Sequence, residues 1–137
     1  MRKGVLRMKI RLANENDIPE IEKIDTNISY ISTPLLRSDV QAHRLFIGIE
    51  KNKIVSTCAI VPEPQYNYTA MKRLYINPNC RGKGYAQKMI SYIVSRYPQE
   101  TLGATPWTSN DAMRHMLEKQ GFSLRYIFNE KWCFYST

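Results

Sequence analysis

The sequence predicts one α/β domain, in which β-strands and α-helices alternate along 137 residues. The length and the 43% content of hydrophobic residues suit a single hydrophobic core. Runs rich in β-forming residues alternate with runs in which apolar residues recur at helical spacing. No internal repeat, low-complexity run or Gly/Ser linker interrupts the chain. We therefore expect residues 1–137 to form one continuous domain.

The N-terminal elements are predicted to be a strand and a helix. Lys9 to Ala13 has the pattern of a first strand. Asp17 then provides an N-cap, followed by an early-turn proline and a carboxylate in the first turn, and these features favour a helix start. Because the pattern begins at Lys9, residues 1–8 are expected to be a poorly ordered extension, and Met8 is an alternative translation start.

The central part of the chain combines a weak helical signal with a clear hairpin. Pro34 interrupts the pattern after the first helix, and Ser38-Asp39 can cap a short helix. Arg44 to Glu50 and Ile54 to Val61 are β-rich runs joined by a short polar turn. This arrangement predicts a β-hairpin.

The C-terminal part of the chain begins with the strongest helical signal. Apolar residues recur at helical spacing from Ala86 to Tyr97 and form one continuous face that ends before a proline. A short strand is predicted from Leu102 to Thr105. Thr108 to Asp111 forms a capping-box pattern before a further helix, which a glycine ends. Phe122 to Phe128 and Lys131 to Tyr135 then predict a terminal hairpin.

Charge and cysteine content restrict the class of partner. Twenty Lys and Arg against twelve Asp and Glu give a net charge of +8, which favours an anionic partner. No apolar run approaches the roughly 18 residues of a membrane span, and the basic N-terminus lacks a following apolar signal core, so we expect a cytoplasmic protein without a membrane partner. Cys58, Cys80 and Cys133 are far apart in sequence, which predicts neither a disulfide framework nor a metal site.

The most informative local pattern is a strand, a turn and a glycine-containing helix start. A strand predicted from Ala70 to Ile76 is followed by Asn77 to Cys80 and then by Arg81-Gly-Lys-Gly-Tyr-Ala86. A helix N-terminus carries unpaired N–H groups and partial positive charge, and glycines let these amides approach a phosphate. Gly82 and Gly84 alone would also suit a tight turn with solvated basic neighbours. The strand, proline and helix context favours an anion site.

The bound anion is expected to be a diphosphate, but not one held by a common nucleotide loop. Arg81, Lys83 and Lys88 supply cationic groups, and charge-assisted hydrogen bonds to phosphate are strong. The sequence has no GxxxxGK[ST] loop and no GxGxxG followed by a ribose-binding acid. The diphosphate is therefore expected to bind in another arrangement.

Two separated motifs resemble those of the Gcn5-related N-acetyltransferase (GNAT) family. The family has an R/Q-x-x-G-x-G/A loop after its fourth strand, which Arg81, Gly84 and Ala86 match. The segment from Asn110 to Phe122 resembles the second signature of the family. The similarity extends from about Lys9 to Tyr135. It implies a three-layer α/β (α+β) fold: a mixed, mostly antiparallel central sheet of about six to seven strands, flanked by helices, with strands 4 and 5 splayed apart.

The resemblance implies an N-acetyltransferase that transfers an acetyl group from acetyl-CoA directly to an amine of a small molecule or peptide. No metal is implied. The backbone of Leu74 and Ile76 is expected to meet the pantetheine arm and to stabilise charge at the thioester, and residues 81–86 are expected to hold the diphosphate. The implied cofactor-binding residues are Leu74, Tyr75, Ile76, Arg81, Gly82, Lys83, Gly84, Tyr85, Ala86 and Asn110.

The sequence departs from the family pattern at the two proton-transfer positions. The tyrosine that protonates the leaving sulfur in many members is replaced by Leu117, and His115 lies about 200° around the helix from it. The strand glutamate that acts as general base would fall near Ala70, where no carboxylate occurs. Glu63 is the nearest acidic candidate for a catalytic base, and deprotonation through water is the alternative.

Acceptor and partner predictions remain broader. Tyr30, Tyr66, Tyr68 and Trp107 are candidates for an acceptor pocket, although packing explains such aromatics equally well. One alternative function is a CoA-binding module with little or no catalysis. A basic nucleic-acid-binding protein ranks below both, because no nucleic-acid-binding motif accompanies the charge. The sequence does not specify the oligomeric state, and it is compatible with a homodimer.

Overall fold

The computed structural model describes residues 7–24 and 33–137. The candidate acceptor residue Tyr30 and residues 1–6 of the expected extension lie outside this part of the chain. The described residues form seven strands: β1 (Lys9–Leu12), β2 (Leu45–Glu50), β3 (Lys53–Glu63), β4 (Tyr68–Ile76), β5 (Leu102–Ala104), β6 (Ser123–Phe128) and β7 (Trp132–Ser136). They also form four α-helices: α1 (Ile18–Glu22), α2 (Thr33–Gln41), α3 (Tyr85–Arg96) and α4 (Asp111–Lys119).

The strands form one mixed sheet in the order β1-β2-β3-β4-β5-β7-β6. Only β4 and β5 are parallel among the neighbouring strands described, and every other neighbouring pair is antiparallel. The hairpin predicted from the central part of the chain is present as β2 and β3. The predicted C-terminal hairpin is present as β6 and β7. The mixed, mostly antiparallel sheet is therefore confirmed.

Helices cover both faces of this sheet. On one face, α2 buries Leu36 in a cluster that includes Ala59 of β3. On the other face, α3 and α4 bury Met89 and Leu117 in a cluster that includes Cys58. Consecutive residues of a strand point to opposite faces, so Cys58 and Ala59 show that the two clusters lie on opposite sides of β3. The predicted three-layer architecture is confirmed.

The parallel strands β4 and β5 separate soon after they meet. Their second and last pair joins Ala70 to Gly103, yet β4 continues to Ile76. The chain beyond β5 instead follows β7, where the Cys133 N–H donates to the Pro106 carbonyl at 3.0 Å. The end of β4 thus loses its neighbour on one side. This is the predicted splay of the fourth and fifth strands.

A bulge bends β4 within this unpaired region. Thr57 pairs with Tyr75 and Ala59 pairs with Lys72, so one residue of β3 faces two residues of β4. One of these two is Arg73, whose φ of +55° lies in the left-handed region. A bulge of this kind inserts an extra residue and redirects the side chains that follow it.

Two helix starts differ from the sequence expectations. Pro34 lies in the first turn of α2, where its missing N–H is not needed, and Asp39 lies inside the helix rather than at its cap. Asn110, not Thr108, caps α4 through its side chain. The capping predictions for Ser38-Asp39 and Thr108 were wrong, because α2 already begins at Thr33 and the Asn110 side chain supplies the capping oxygen of α4. Asp17 does occupy the predicted N-cap position of α1, without a side-chain capping hydrogen bond.

Met8 belongs to the packed structure. Its side chain is 1% exposed and lies in a cluster with Val55 and Tyr85. The Ser56 hydroxyl donates to the Met8 sulfur at 3.2 Å, and Lys88 Nζ donates to the Met8 carbonyl at 2.6 Å. The expected extension therefore does not reach Met8. None of the helices among residues 7–24 and 33–137 has the length and apolar character of a membrane span.

Candidate functional site

A groove of about 770 Å³ lies between the end of β4, the start of α3 and one face of α4. Its position follows from the splay, because the end of β4 is not covered by β5 there. It is lined by all the predicted cofactor-binding residues except Lys83: Leu74, Tyr75, Ile76, Arg81, Gly82, Gly84, Tyr85, Ala86 and Asn110. The structure therefore brings together residues from three separate segments.

The start of α3 presents backbone N–H groups to this groove. Gly84 is the N-cap residue, and no side chain caps this end of the helix. The first helical hydrogen bond runs from the Lys88 N–H to the Gly84 carbonyl at 3.0 Å. The preceding amides in the first turn, at Tyr85, Ala86 and Gln87, have no intrahelical acceptor, and these residues line the groove. The partial positive charge of the helix end is therefore available to an anion.

Both glycines of the loop adopt backbone conformations that favour glycine. The φ angles of Gly82 and Gly84 are +79° and +84°. A Cβ added at Gly82 would meet nothing within 4 Å. This position therefore favours glycine because of its backbone conformation and not because of lack of space. The left-handed residues turn the chain from the end of β4 into α3 and leave the amides facing the groove.

The three predicted cations occupy different positions. Arg81 lines the groove, and its Nε donates to the Ile76 carbonyl at 3.0 Å, which ties the loop to the end of β4. Lys83 is exposed but does not line the groove. Lys88 bonds to the Met8 carbonyl. Arg81 is therefore the cation among these three that is placed to meet a ligand in the groove.

Tyr85 connects the start of α3 to β2. Its hydroxyl donates a hydrogen bond to the Glu50 carboxylate. Burial of the phenol, followed by the hydrogen bond and the negative charge of Glu50, raises the pKa of Tyr85 to about 12. The phenol is therefore neutral at physiological pH. Its contact with β2 holds the helix start, and thus the exposed amides, in one position.

Helix α4 forms the opposite wall of the groove. The Asn110 Oδ1 accepts a hydrogen bond from the Met113 N–H at 3.2 Å. Met113 and Met116 both pack against the core and line the groove. His115 is exposed and also lines it. Their helical spacing indicated one shared face, but nothing local showed that a groove would border it.

Leu117, at the position of the family tyrosine, lies in the hydrophobic core. It is fully buried and does not line the groove. His115 lies about 200° around α4 from Leu117, so it lines the groove from a different position than the one that the family tyrosine occupies. The structure places no tyrosine at this position on α4.

Glu63 is the last residue of β3 and lies beside the start of β4, whereas the glycine loop follows the end of β4. It pairs with Tyr68 in the sheet register, whereas Ile76 ends the strand at the groove. Its carboxylate forms an ion pair with Lys72 Nζ at 3.3 Å and accepts a hydrogen bond from Gln65 Nε2 at 3.2 Å. Glu63 does not line the groove. Its assignment as catalytic base stays a prediction.

Two of the three described aromatic candidates contact other aromatic side chains, and the third is exposed. Tyr68 packs edge-on against Phe134 with ring centroids 5.0 Å apart. Trp107 stacks on Trp132 at 4.1 Å. Tyr66 is 69% exposed. Burial, with a smaller contribution from the charge of Glu63, raises the pKa of Tyr68. None of these three candidates lines the groove itself.

Among residues 7–24 and 33–137, no cluster of three or more His, Cys, Asp or Glu side chains is arranged to hold a metal ion. The three cysteines are buried and unpaired with one another.

Solved structures with the same fold come from several bacteria. An acetyltransferase of the GNAT family from Bacillus cereus ATCC 10987 is similar with a TM-score of 0.84 at 20% identity, over 95% of this chain and 96% of that chain. A GNAT acetyltransferase from Streptococcus agalactiae 2603 has a TM-score of 0.81 at 19% identity, over 99% and 98% of the two chains. A third, from Elizabethkingia anophelis with acetyl-CoA bound, has a TM-score of 0.76 at 11% identity, over 96% and 98%.

Sequence comparison identifies the family. No curated protein sequence matches this chain. The family model described as the acetyltransferase (GNAT) family matches residues 12–122, which include the glycine loop and all of α4. The chain therefore belongs to the GNAT family of acetyltransferases.

Proposed function

We propose that this chain is an N-acetyltransferase that transfers an acetyl group from acetyl-CoA to an amine of a small molecule or a peptide. The observation that carries this proposal is the uncapped start of α3, which opens through Gly82 and Gly84 onto the groove beside the split between β4 and β5. Family membership supports the reaction class. A relative with the same fold was solved with acetyl-CoA bound.

The groove suits the chemical parts of acetyl-CoA. The amides at residues 82–87 and the Arg81 guanidinium would hold the diphosphate, since both supply donors and positive charge. The backbone of Leu74 and Ile76 would meet the amides of the pantetheine arm, because the splay removes the neighbouring strand from this part of β4. Asn110 would contact the arm from the opposite wall. Tyr75 contributes backbone to the same strand end.

The chemistry needs little from side chains. Acetyl-CoA supplies an activated acetyl group as a thioester, and coenzyme A is the leaving group. A backbone N–H of Leu74 would stabilise negative charge on the thioester oxygen. We propose that the acceptor amine loses its proton to water. If a carboxylate takes the proton directly, Glu63 is the candidate base. Cys80 has no His or carboxylate beside it in sequence, which favours direct transfer.

The acceptor is proposed to approach from the aromatic side of the split. The chain beyond β5 carries Trp107, and Tyr68 begins β4 just before the first of the two parallel pairs, with its ring over Gly103 of the last pair. These side chains and exposed Tyr66 offer apolar surface near the point where the strands separate. Such aromatics combine large contact area with a polar atom, which suits an amine carried on a partly apolar molecule.

A second candidate is a CoA-binding module with little or no catalysis. Buried Leu117 replaces the family tyrosine, and Ala70, Met71 and Lys72 provide no carboxylate on β4. This function would use the same groove and the same loop. It differs only in the absence of acyl transfer.

Binding and transfer measurements test the two functions together. Isothermal titration calorimetry should show that CoA and acetyl-CoA bind, and a thiol assay should show release of CoA when an amine panel is added. Acetyl-CoA without any amine is the control for hydrolysis. Binding without amine-dependent thiol release would favour the second candidate. No binding of either compound to the folded protein would contradict both.

A further inference from the structure

A buried ion pair fastens α2 to the bulge of β4. Arg73 donates from Nε and Nη2 to Asp39 Oδ2, at 3.1 and 2.7 Å. The side chains of Arg73 and Asp39 are only 15% and 3% exposed. Charges with so little access to water interact strongly and hold a defined geometry. The pair therefore connects two elements that are separated by 34 residues in sequence.

The backbone at Arg73 shows that this side chain is retained against a conformational cost. Its φ of +55° is a conformation that glycine adopts freely and that other residues adopt rarely. The Thr57 hydroxyl donates to the Arg73 carbonyl at 3.0 Å and holds the same peptide from β3. A glycine would relieve the cost but would remove the guanidinium that pairs with buried Asp39.

Both ends of the ion pair are attached to rigid packing. Asp39 precedes Val40, and Val40 and Leu36 of α2 are buried in the core cluster beneath the sheet. Arg73 precedes Leu74, which packs against the cluster on the other face and lines the groove. A displacement of α2 would therefore be transmitted through the ion pair to the residue that borders the groove.

We propose that Asp39 is a positioning residue for acyl transfer, which acts through Arg73 to hold the β4 bulge and thereby sets the position of the Leu74 backbone. The inference rests on the proposed function, in which a Leu74 amide stabilises charge on the thioester oxygen. Oxyanion donors are effective only when they are held in place before reaction. The ion pair provides that preorganisation from outside the groove, so it affects rate more than cofactor affinity.

The test uses a double variant that removes the charges of Asp39 and Arg73 together, so that neither charge loses the other while it stays buried. Asp39→Asn/Arg73→Gln keeps two polar side chains of similar size that can hydrogen-bond to each other. Arg11→Gln is the matched control, because it breaks another two-point ion pair, with Asp17 at 2.9 Å, on the edge strand β1. Circular dichroism and thermal unfolding would establish that each protein is folded.

Two readouts separate positioning from general damage. We expect the double variant to lower kcat at least about tenfold, while the Kd for CoA changes less than about threefold. In ¹⁵N and ¹³C NMR spectra of the ligand-free protein, the Leu74 signals should shift in the double variant and not in Arg11→Gln. The Leu74 amide response to acetyl-CoA should also be reduced.

Three results would overturn the proposal. The first is a folded double variant whose kcat and Leu74 signals match those of Arg11→Gln. The second is a rate loss with unchanged Leu74 signals, and the third is a rate loss matched by an equal loss of CoA affinity. If the unmodified protein transfers no acetyl group to any amine, the proposed function fails. In that case the Leu74 signals alone test the positioning role, and a Leu74 response to acetyl-CoA that is unchanged in the double variant would contradict it.

Discussion

The ring of Tyr68 lies over Gly103, the residue of β5 that pairs with Ala70 at the last point where β4 and β5 are paired. A Cβ built on Gly103 would lie 2.6 Å from a carbon of the Tyr68 ring and 2.9 Å from a Phe134 ring carbon. The absence of this atom lets the two aromatic rings meet edge-on over β5 at 5.0 Å. The Tyr68 ring therefore packs on the last residue of β5 that pairs with β4. The split that the proposed site requires begins after this pair.

This contact predicts a coupled effect on stability. Gly103→Ala should reduce the free energy of unfolding by about 1–3 kcal/mol, because the added methyl overlaps the rings of Tyr68 and Phe134. The penalty should become smaller in a Tyr68→Ala background, where most of the close atoms are gone. Urea unfolding of the two single variants and the double variant measures the coupling. Equal penalties in both backgrounds would show that Tyr68 does not limit this position.

Substitution at the start of α3 should weaken cofactor binding. Gly84→Glu adds a side chain and a negative charge where phosphate is proposed to bind, so the Kd for CoA should rise at least about tenfold. The matched control is Gly121→Glu, since Gly121 also has a positive φ, of +94°, and open space around it, but follows α4. Calorimetry on both folded variants provides the measurement. Similar CoA affinity for Gly84→Glu and the unmodified protein would refute the placement of the diphosphate.

The position of Glu63 predicts a small kinetic effect. Glu63→Gln should lower kcat less than about tenfold, because the carboxylate is paired with Lys72 and lies away from the groove. Glu100→Gln is a suitable control, since Glu100 accepts a hydrogen bond at 2.7 Å from Thr69, near the start of β4, the strand that pairs with Glu63. The pH–rate profiles of both variants should match that of the unmodified enzyme. A loss of about 100-fold, with loss of the acid-side ionisation, would instead identify Glu63 as the general base.

Tyr85 predicts a specific loss of stability at high pH. Its pKa is about 12 in the folded protein, against a usual value of 10. The unfolded state therefore releases this proton first, so the contribution of Tyr85 is intact below about pH 10 and is lost as pH rises towards about 12. Tyr85→Phe should flatten the decline of unfolding free energy in that window. Tyr66→Phe, which removes an exposed phenol, is the control, and equal slopes for Tyr85→Phe and the unmodified protein would contradict the prediction.

The position of Trp107 predicts that its substitution weakens binding of the acceptor but not binding of the cofactor. Trp107→Leu removes the ring that stacks on Trp132 at 4.1 Å, so the KM for an accepted amine should rise several-fold. The Kd for CoA should stay within about twofold, because Trp107 does not line the groove. Steady-state kinetics and calorimetry on the same preparation provide both values. A parallel change in both constants would place Trp107 in the packing of the fold rather than at the acceptor.

Most of the groove's residues could be predicted from local sequence patterns. The glycine loop and the periodic apolar face of α3 lie within one short segment, so their conformations depend mainly on neighbouring residues. Gly82 and Gly84 adopt the left-handed conformations that glycine allows, and the helix begins one residue from its predicted start. The predicted cap failed at α4, where the Asn110 side chain rather than that of Thr108 supplies the capping oxygen.

The sequence by itself determined the glycine loop, the order of elements and the family, because these are read from residues close together in the chain. Only the tertiary structure decided that Asp39 meets Arg73, that Tyr68 lies over Gly103, and that Leu117 is buried while Met113 borders the groove. Each of these depends on which strands and helices become neighbours. That choice results from burial of apolar surface across the whole sheet, and no local pattern specifies it.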